Sequence, residues 1–286
     1  MYFPWNDYEE IASNRKNTLQ VFITTRCNLK CNGCFAKNVM GEKAKDISLK
    51  EYSLVIDDFL EKDGKQINIL GGEPLLHPKI REIVQINRDK NIKTTIYTNG
   101  SYLNRFNEKD FENAKLRLSL YCKSGKNKSL DSMIKTDFPI DVCFMVSSKT
   151  TKKELVETAD ELEKNYNTNV FFISSIRELD NPRKEFFDDT ELSMNVLAYK
   201  ELVHEFLQEY KGNMEIHISK RGVFESTKTI AGNKCKFANY FIGGKIIQCP
   251  YDTINLKFQK DYLFDTRNCQ QNNSCLMSKI VVKRKS

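Results

Sequence analysis

Six predicted strands, each followed by a helical pattern, constrain the fold of this chain more than any other feature. The strand patterns cover residues 18–24, 66–70, 93–98, 115–121, 141–147 and 169–175. Predicted helices cover 48–63, 78–90, 107–114, 128–135, 151–165 and, after a charged linker, 190–211. Strands that alternate with helices predict a parallel sheet with right-handed crossovers. Six such units predict an α/β fold built on a partial (β/α)6 TIM-like barrel rather than a closed eightfold one.

Helix-start signals and a change of pattern divide the rest of the chain. Ser48 with Glu51, and Thr151 with Glu154, have the spacing of a capping box, which marks the first turn of a helix. We expect an N-terminal extension over 1–17, the barrel over 18–176, a linker with a long helix over 177–212, and a small second domain over 213–286. That second domain should contain short strands, a glycine turn and four cysteines.

Composition limits the classes of partner and the redox environment. The chain carries 45 Lys and Arg against 38 Asp and Glu, which a solvated lysine-rich surface explains. Aromatic and basic residues do not interleave as in single-strand nucleic-acid platforms, so nucleic acid is not an expected partner. With neither an apolar run of 18 residues nor a signal peptide, we expect no membrane association and a cytoplasmic location. Thiols stay reduced there, so nine cysteines favour metal binding or catalysis.

The stretch "TRCNLKCNGCFAKN" follows the first predicted strand and holds Cys27, Cys31 and Cys34. Soft thiolates select zinc, copper(I) or iron–sulfur clusters. Structural zinc uses four closed ligands, whereas three thiolates suit a [4Fe–4S] cluster that leaves one iron open. A zinc knuckle, or a thioredoxin-like pair of Cys31 and Cys34, remains an alternative on this spacing alone.

A second motif, "GGEP" at Gly71–Pro74, directly follows the second predicted strand. Two glycines allow a backbone to approach a ligand closely, and the Glu73 carboxylate can accept hydrogen bonds from an ammonium group. Both motifs lie at carboxyl ends of strands, where α/β barrels place their chemistry.

In the order of these two motifs, residues 18–176 resemble the radical S-adenosylmethionine (SAM) superfamily. The resemblance implies a [4Fe–4S] cluster on the three cysteines, and SAM held by its amino group at Gly71, Gly72, Glu73 and Pro74. It further implies contacts of Ser119 and Asn99 with bound SAM. The family often has an aromatic residue before the last cysteine; here it is Gly33, so the backbone of Phe35 is expected to contact adenine.

Arg117 shares the fourth predicted strand with Ser119 and should point the same way, since they are two residues apart. It is either a carboxylate clamp for SAM or substrate, or a salt bridge near the barrel base. We count it as a candidate cofactor-binding residue.

The four cysteines of the second domain have a pattern of their own. The segment "CKFANYFIGGKIIQCP" resembles the opening of a SPASM or twitch domain, which implies an auxiliary [4Fe–4S] cluster. Its expected ligands are Cys235, Cys249, Cys269 and Cys275. A structural zinc site is the alternative, because four thiolates also satisfy zinc.

Strand parity separates the two remaining cysteines. In "DVCFMVS" the apolar Val142 and Phe144 should face the outer helices, so Cys143 should face the barrel interior. Cys122 should be outward or just past its strand. Radical epimerases of the superfamily use a thiol to return hydrogen to the substrate, so the resemblance makes Cys143 a candidate hydrogen donor.

The resemblance implies reductive cleavage of SAM to methionine and a 5′-deoxyadenosyl radical, with electrons from a flavodoxin or ferredoxin. Expected substrates are a sugar or cyclitol, or a peptide, that is epimerised or dehydrogenated by an oxidoreductase or epimerase. A ribosomal-peptide maturase that forms a cross-link is the alternative. A non-enzymatic alternative is a metal-stabilised binding module with a basic surface.

Overall fold

An extended β-sheet forms the centre of the computed structural model. The structure describes residues 8–12, 17–31, 34, 44–123, 136–176, 194, 196–219, 237–247 and 279–284. The sheet strands in these ranges are β1 (Tyr8–Ala12), β2 (Thr18–Phe22), β3 (Gln66–Leu70), β4 (Lys93–Thr98), β5 (Ala114–Tyr121), β6 (Ile140–Val146), β7 (Thr168–Ser175), β8 (Glu215–Ser219), β9 (Phe237–Phe241), β10 (Lys245–Ile247) and β11 (Lys279–Arg284). The six predicted strands correspond to β2 through β7.

Four α-helices accompany the strands in the described ranges. They are α1 (Leu49–Glu61), α2 (Ile80–Asp89), α3 (Lys152–Asn165) and α4 (Val196–Glu209). Ser48 and Thr151 cap α1 and α3, each accepting a hydrogen bond from the backbone N–H three residues later. These two predicted helix starts are therefore confirmed.

The strands pair in the order β1-β11-β8-β7-β6-β5-β4-β3-β2-β9-β10. Every pairing from β9 through β2 and on to β8 is parallel, which gives eight consecutive parallel strands. At the two ends of this array, β10 and β11 pair antiparallel. The sheet is therefore an open arc, and the predicted partial barrel is confirmed. It exceeds six strands because β8 and β9 extend it on opposite sides.

The two faces of the parallel sheet differ in the side chains they present. Leu118, Leu120 and Phe144 are at most 1% exposed and belong to the main core, together with buried side chains of α3 and α4. The alternate positions on the same strands, among them Ser119 and Cys143, are only partly buried. The apolar face holds the helices, and the opposite face lines the interior of the arc.

Two local predictions differ from the structure. Residues 107–114 form only a 3-10 turn, Glu108–Phe111, because Asn113 adopts a left-handed conformation with φ of 65° and β5 begins at Ala114. At α1, the Ser48 side chain accepts from the backbone N–H of Glu51, but the Glu51 carboxylate accepts from distant residues instead of completing the capping box. The predicted helix over 128–135 lies outside the described residues.

No helix within the described ranges combines the length and apolar character that crossing a membrane requires.

Candidate active site

The neck of the cysteine loop is fixed just beyond the carboxyl end of β2. The backbone N–H of Thr25 donates to the carbonyl of Lys45 at 2.9 Å, and that of Ile47 donates to the carbonyl of Ile23 at 2.8 Å. The Asp46 carboxylate accepts from the Thr24 hydroxyl at 2.7 Å and pairs with Arg26 at 2.9 Å. Both ends of the loop are therefore held together, at the place that the strand pattern predicted.

Three thiols at the start of this loop, Cys27, Cys31 and Cys34, are each partly buried. Burial, followed by the charges of Cys34 and Cys27, raises the pKa of Cys31 to about 12. Burial is also the main cause that raises the pKa of Cys27. Thiols that raise one another's pKa need a cationic partner to become thiolates together.

The number of these thiols bears on the kind of metal centre that they fit. In the described part of the chain, no three histidine, cysteine or carboxylate side chains converge tightly enough to hold one metal ion. A single zinc ion requires sulfurs about 2.3 Å from a common centre, whereas a cube is held by one thiolate at each of three separate irons. Three thiolates are one short of the four closed ligands of a structural zinc site, so this donor set fits an iron–sulfur cube better.

Gly71 and Gly72 let the end of β3 lie directly against the cysteine loop. A Cβ atom on Gly71 would be 2.6 Å from the carbonyl oxygen of Thr24, and one on Gly72 would be 2.2 Å from that of Arg26. The backbone N–H groups of Gly72 and Glu73 donate to these two carbonyls at 2.9 and 2.7 Å. Any side chain at either glycine would separate the two segments.

The Glu73 carboxylate is completely buried and ties the ends of β3 and β4 together. It accepts hydrogen bonds from the backbone N–H of Leu75 at 3.0 Å, the hydroxyl of Thr98 at 2.6 Å and the backbone N–H of Asn99 at 2.7 Å. Glu73 therefore has a clear positioning role in this structure. Its contact with the ammonium group of SAM stays a prediction.

Asn99 joins β4 to the cysteine loop. Its side-chain amide donates to the side-chain oxygen of Asn28 at 2.9 Å. Asn28 directly follows Cys27 in the chain, and the sequence analysis did not single it out. Only its adjacency to a predicted ligand could have indicated it.

The interior ends of β5 and β6 bring further candidate residues together. Ser119 lies opposite Cys143 in the strand register, and the Cys143 sulfur is 3.8 Å from the Met145 sulfur. Cys122 is 1% exposed within the main core. The two cysteines thus lie on opposite faces, as strand parity predicted, while the role of Cys143 stays a prediction.

Tyr121 is an interior residue that our candidate set missed. Burial raises its pKa well above the ordinary value, and the charges of Cys31, Cys34 and Cys143 add to this effect. Its phenol therefore lies within electrostatic reach of the predicted cluster ligands and of Cys143. The signal was present in the sequence, since Tyr121 shares the parity of Ser119.

Arg117 lies two residues before Ser119, closer to the amino ends of the strands. Its guanidinium donates to Asp141 at 3.2 Å and to the Tyr97 hydroxyl at 3.3 Å. Burial opposes its charge, but Tyr97 and Asp141 outweigh burial and raise its pKa. These contacts are those of the salt-bridge alternative, and a role as a carboxylate clamp stays a prediction.

Five predicted site residues lie outside the described residues. They are Phe35, Cys235, Cys249, Cys269 and Cys275. The predicted domain boundaries likewise stay predictions.

Comparison with solved structures supports the fold. SuiB from Streptococcus suis, bound to its precursor peptide SuiA, aligns with a TM-score of 0.65 at 16% identity. That alignment covers 87% of this chain and 63% of SuiB. The structure titled native anSMEcpe with bound AdoMet and Cp18Cys peptide aligns with a TM-score of 0.55 at 14% identity, over 86% of this chain and 78% of that one.

Comparison of sequences places the similarity in the barrel. A probable GTP 3′,8-cyclase from Methanococcus maripaludis is 34% identical over 93 residues, which are 32% of this chain and 31% of that protein. The match thus spans about a third of that relative's length. The family description "Radical SAM superfamily" matches residues 21–189, which include the cysteine loop, the Gly71–Pro74 turn and the interior residues of β5 and β6. This match covers more than half of the chain, which therefore belongs to the radical SAM superfamily.

Proposed function

We propose that this radical SAM enzyme abstracts hydrogen from a peptide, and that Cys27, Cys31 and Cys34 hold its [4Fe–4S] cluster. The observation that carries the proposal is the position of the three partly buried thiols beside the Gly71–Glu73 turn, at the carboxyl ends of β2 and β3. The cluster and SAM, when bound, supply a 5′-deoxyadenosyl radical. The protein's own residues bind and orient SAM and the substrate.

Those residues form two sets around the proposed SAM site. The turn Gly71–Pro74 offers its backbone to the amino group of SAM, and Glu73 keeps that turn fixed against β4. Ser119 and Asn99 contact SAM from the neighbouring strand ends, and the backbone of Phe35 contacts adenine. Arg117 stabilises the strands beneath them through Asp141.

The proposed substrate is a peptide whose reacting residue has an uncharged side chain. Half-buried interior positions near the thiols are occupied by Tyr97, Tyr121, Cys143 and Met145, none of which carries a formal charge at neutral pH. The charge of Arg117 is already matched by Asp141. An aromatic and thioether wall suits an apolar side chain. The peptide-bound structures of SuiB and anSMEcpe, which share the fold, agree with this choice.

The proposed reaction is epimerisation, with Cys143 as the hydrogen donor. After the substrate loses a hydrogen atom, the thiol of Cys143 returns one to the opposite face, and the resulting thiyl radical takes one electron and one proton. Cys235, Cys249, Cys269 and Cys275 would hold an auxiliary [4Fe–4S] cluster, which would supply one-electron chemistry, and a flavodoxin or ferredoxin would be the source of electrons. The half-buried position of Cys143 on the interior face supports this role.

The test uses anaerobically reconstituted protein with SAM, dithionite and synthetic peptides encoded by short reading frames beside the gene. In deuterated water, we expect 5′-deoxyadenosine together with a peptide that has gained one deuterium at an inverted Cα. Hydrolysis and chiral amino-acid analysis identify the inverted residue. Formation of 5′-deoxyadenosine with GTP or a sugar, and with none of the peptides, would overturn the substrate class while leaving SAM cleavage intact.

A further inference from the structure

The hairpin formed by β9 and β10 attaches directly to the strand that leads into the cysteine loop. Its turn contains Gly243 and Gly244, both left-handed, with φ of 85° and 81°. All five residues of β9 pair in parallel with β2, from Thr18 opposite Phe237 to Phe22 opposite Phe241. The hairpin is therefore a wall of the barrel interior next to the proposed cluster site.

A single carboxylate on α1 fastens this hairpin from the helix side. One oxygen of Glu51 accepts a hydrogen bond from the Tyr240 hydroxyl at 2.7 Å and another from the backbone N–H of Gly243 at 2.8 Å. These partners are 189 and 192 residues away in the chain. Burial, followed by the bond to Glu51, raises the pKa of the Tyr240 phenol, which therefore stays a donor at neutral pH.

A comparison with α2 indicates that Glu51 does more than stabilise its own helix. Glu82 occupies the same third position of α2, but among the described residues its side chain forms an ion pair with Lys79, three residues earlier. Both carboxylates lie in the first turn, where negative charge favours a helix. Only Glu51 connects its helix to a distant part of the chain through described contacts.

Phe241, the residue that follows Tyr240 in β9, connects the hairpin to the barrel interior. Consecutive residues of a strand point to opposite faces, so Tyr240 faces α1 while Phe241 faces the barrel. The ring of Phe241 stacks on Phe22 with 4.3 Å between centroids and an interplanar angle of 24°. Phe22, Phe241 and Leu70 form a separate apolar cluster, and Cys34 packs against it.

We infer that Glu51 is a positioning residue for the cluster site and acts through this hairpin. It fixes β9 against α1, and β9 in turn holds the apolar surface on which Cys34 rests. The inference rests on the proposed function only in naming Cys34 as a cluster ligand. The chain of contacts from Glu51 to Cys34 consists entirely of described residues.

The first arm of the test measures the attachment itself by hydrogen exchange of the Gly243 amide in the reconstituted full-length protein. Glu51→Ala should speed exchange about tenfold or more, because the amide loses a charged acceptor. Glu51→Gln keeps the accepting oxygen and should stay within about threefold of the unaltered protein. Glu82→Ala is the matched control and should leave Gly243 unchanged.

The second arm measures Cys34 before reconstitution, as its rate of alkylation relative to Cys27 in the same molecule. The Cys27 sulfur accepts a hydrogen bond from the Leu29 amide at 3.4 Å within its own loop, so it is an internal reference. Glu51→Ala should raise the Cys34 to Cys27 ratio severalfold, Tyr240→Phe should raise it less, and Glu82→Ala should not raise it. This arm needs no catalytic turnover.

Three outcomes decide the inference. Faster exchange at Gly243 together with a raised alkylation ratio, both restored in Glu51→Gln, supports it. Faster exchange with an unchanged ratio overturns it, because Glu51 would then hold the hairpin without affecting Cys34. Unchanged exchange also overturns it. None of these results depends on whether the substrate is a peptide, so failure here is distinguishable from failure of the proposed function.

Discussion

The two faces of β5 and β6 differ in how deeply their side chains are buried. The side chains of Leu118, Leu120 and Phe144 face the helices and are at most 1% exposed. Those of Tyr121 and Cys143, on the opposite face, are only partly buried. Neighbouring residues of one strand thus differ in exposure, although Tyr121 also packs against the edge of the main core. The comparison teaches that stability and chemistry are divided here by strand parity rather than by position along the chain.

The helix-facing side is a continuous layer of aromatic contacts. Phe144 lies 5.8 Å from Phe171 between ring centroids, and Phe171 lies 6.0 Å from Phe206 of α4. The interior side instead contains the Cys143–Met145 sulfur contact and the Arg117–Asp141 pair. Substitutions on the two faces should therefore affect different measurements.

The largest expected effect comes from the helix-facing side. Phe144→Ala should lower the free energy of unfolding by about 3–5 kcal/mol, because it leaves a cavity in the aromatic layer. Met145→Ala, one residue further on the interior face, should cost about 1 kcal/mol, since its side chain is already partly exposed. Urea unfolding of the cluster-free proteins measures both. Equal costs would show that the interior side is packed core rather than a cavity wall.

Glu73→Gln should lower the free energy of unfolding by less than Phe144→Ala does, but it should clearly weaken SAM binding. The amide nitrogen would face a backbone N–H, that of Leu75 in one orientation and that of Asn99 in the other, so at least one buried hydrogen bond is lost at a cost of about 2 kcal/mol. SAM should bind about tenfold more weakly, because the Gly71–Glu73 turn is no longer fixed.

SAM titration and iron analysis of reconstituted Glu73→Gln separate the two effects. Thr98→Val is the companion variant, since it removes one donor and keeps the carboxylate. Unchanged SAM affinity in both variants, with iron content intact, would restrict Glu73 to a structural role.

The parts of the fold that the sequence predicted correctly are those determined by local periodicity. The six strands β2–β7 and the starts of α1 and α3 follow from alternation, helical spacing and capping residues. The parallel pairing of β9 with β2 joins Thr18 to Phe237, and no local pattern specifies a partner so far away. The Glu51 attachment was missed for the same reason, because its capping-box spacing explained the residue completely within its own helix.

The candidate site was predictable where residue type limits the chemistry. Three thiols in one loop and two glycines before a carboxylate have few alternative explanations, and the structure brings their backbones together. Tyr121 was missed because tyrosine is common in strands, so its residue type carries no signal and only its shared parity with Ser119 indicated an interior position. Arg117 could not be assigned to either alternative, since only the structure brings Asp141 and Tyr97 to its guanidinium.

The smallest expected changes in the free energy of unfolding are those at Cys122, which lies in the core, and at Cys143, which lies on the interior face. Cys122→Ala removes a buried sulfur from the main core and should cost about 1 kcal/mol without changing the product. Cys143→Ala should change the free energy of unfolding by about 0.5 kcal/mol or less, because the site is partly exposed.

Cys143→Ala should still form 5′-deoxyadenosine but lose deuterium incorporation and the inverted product. Normal inverted product from this variant would contradict a hydrogen-donor role. Loss of product in Cys122→Ala would show that the division by strand parity does not separate chemistry from packing.

The central claim, that the thiols of the β2 loop hold the cluster that cleaves SAM, is tested most directly by changing Cys27, Cys31 and Cys34 together to Ala. Production of 5′-deoxyadenosine in the presence of dithionite should fall to background, and the iron bound after reconstitution should fall by about four atoms per chain. Cys122→Ala, treated identically, should retain both. Undiminished 5′-deoxyadenosine in the triple variant would contradict the account.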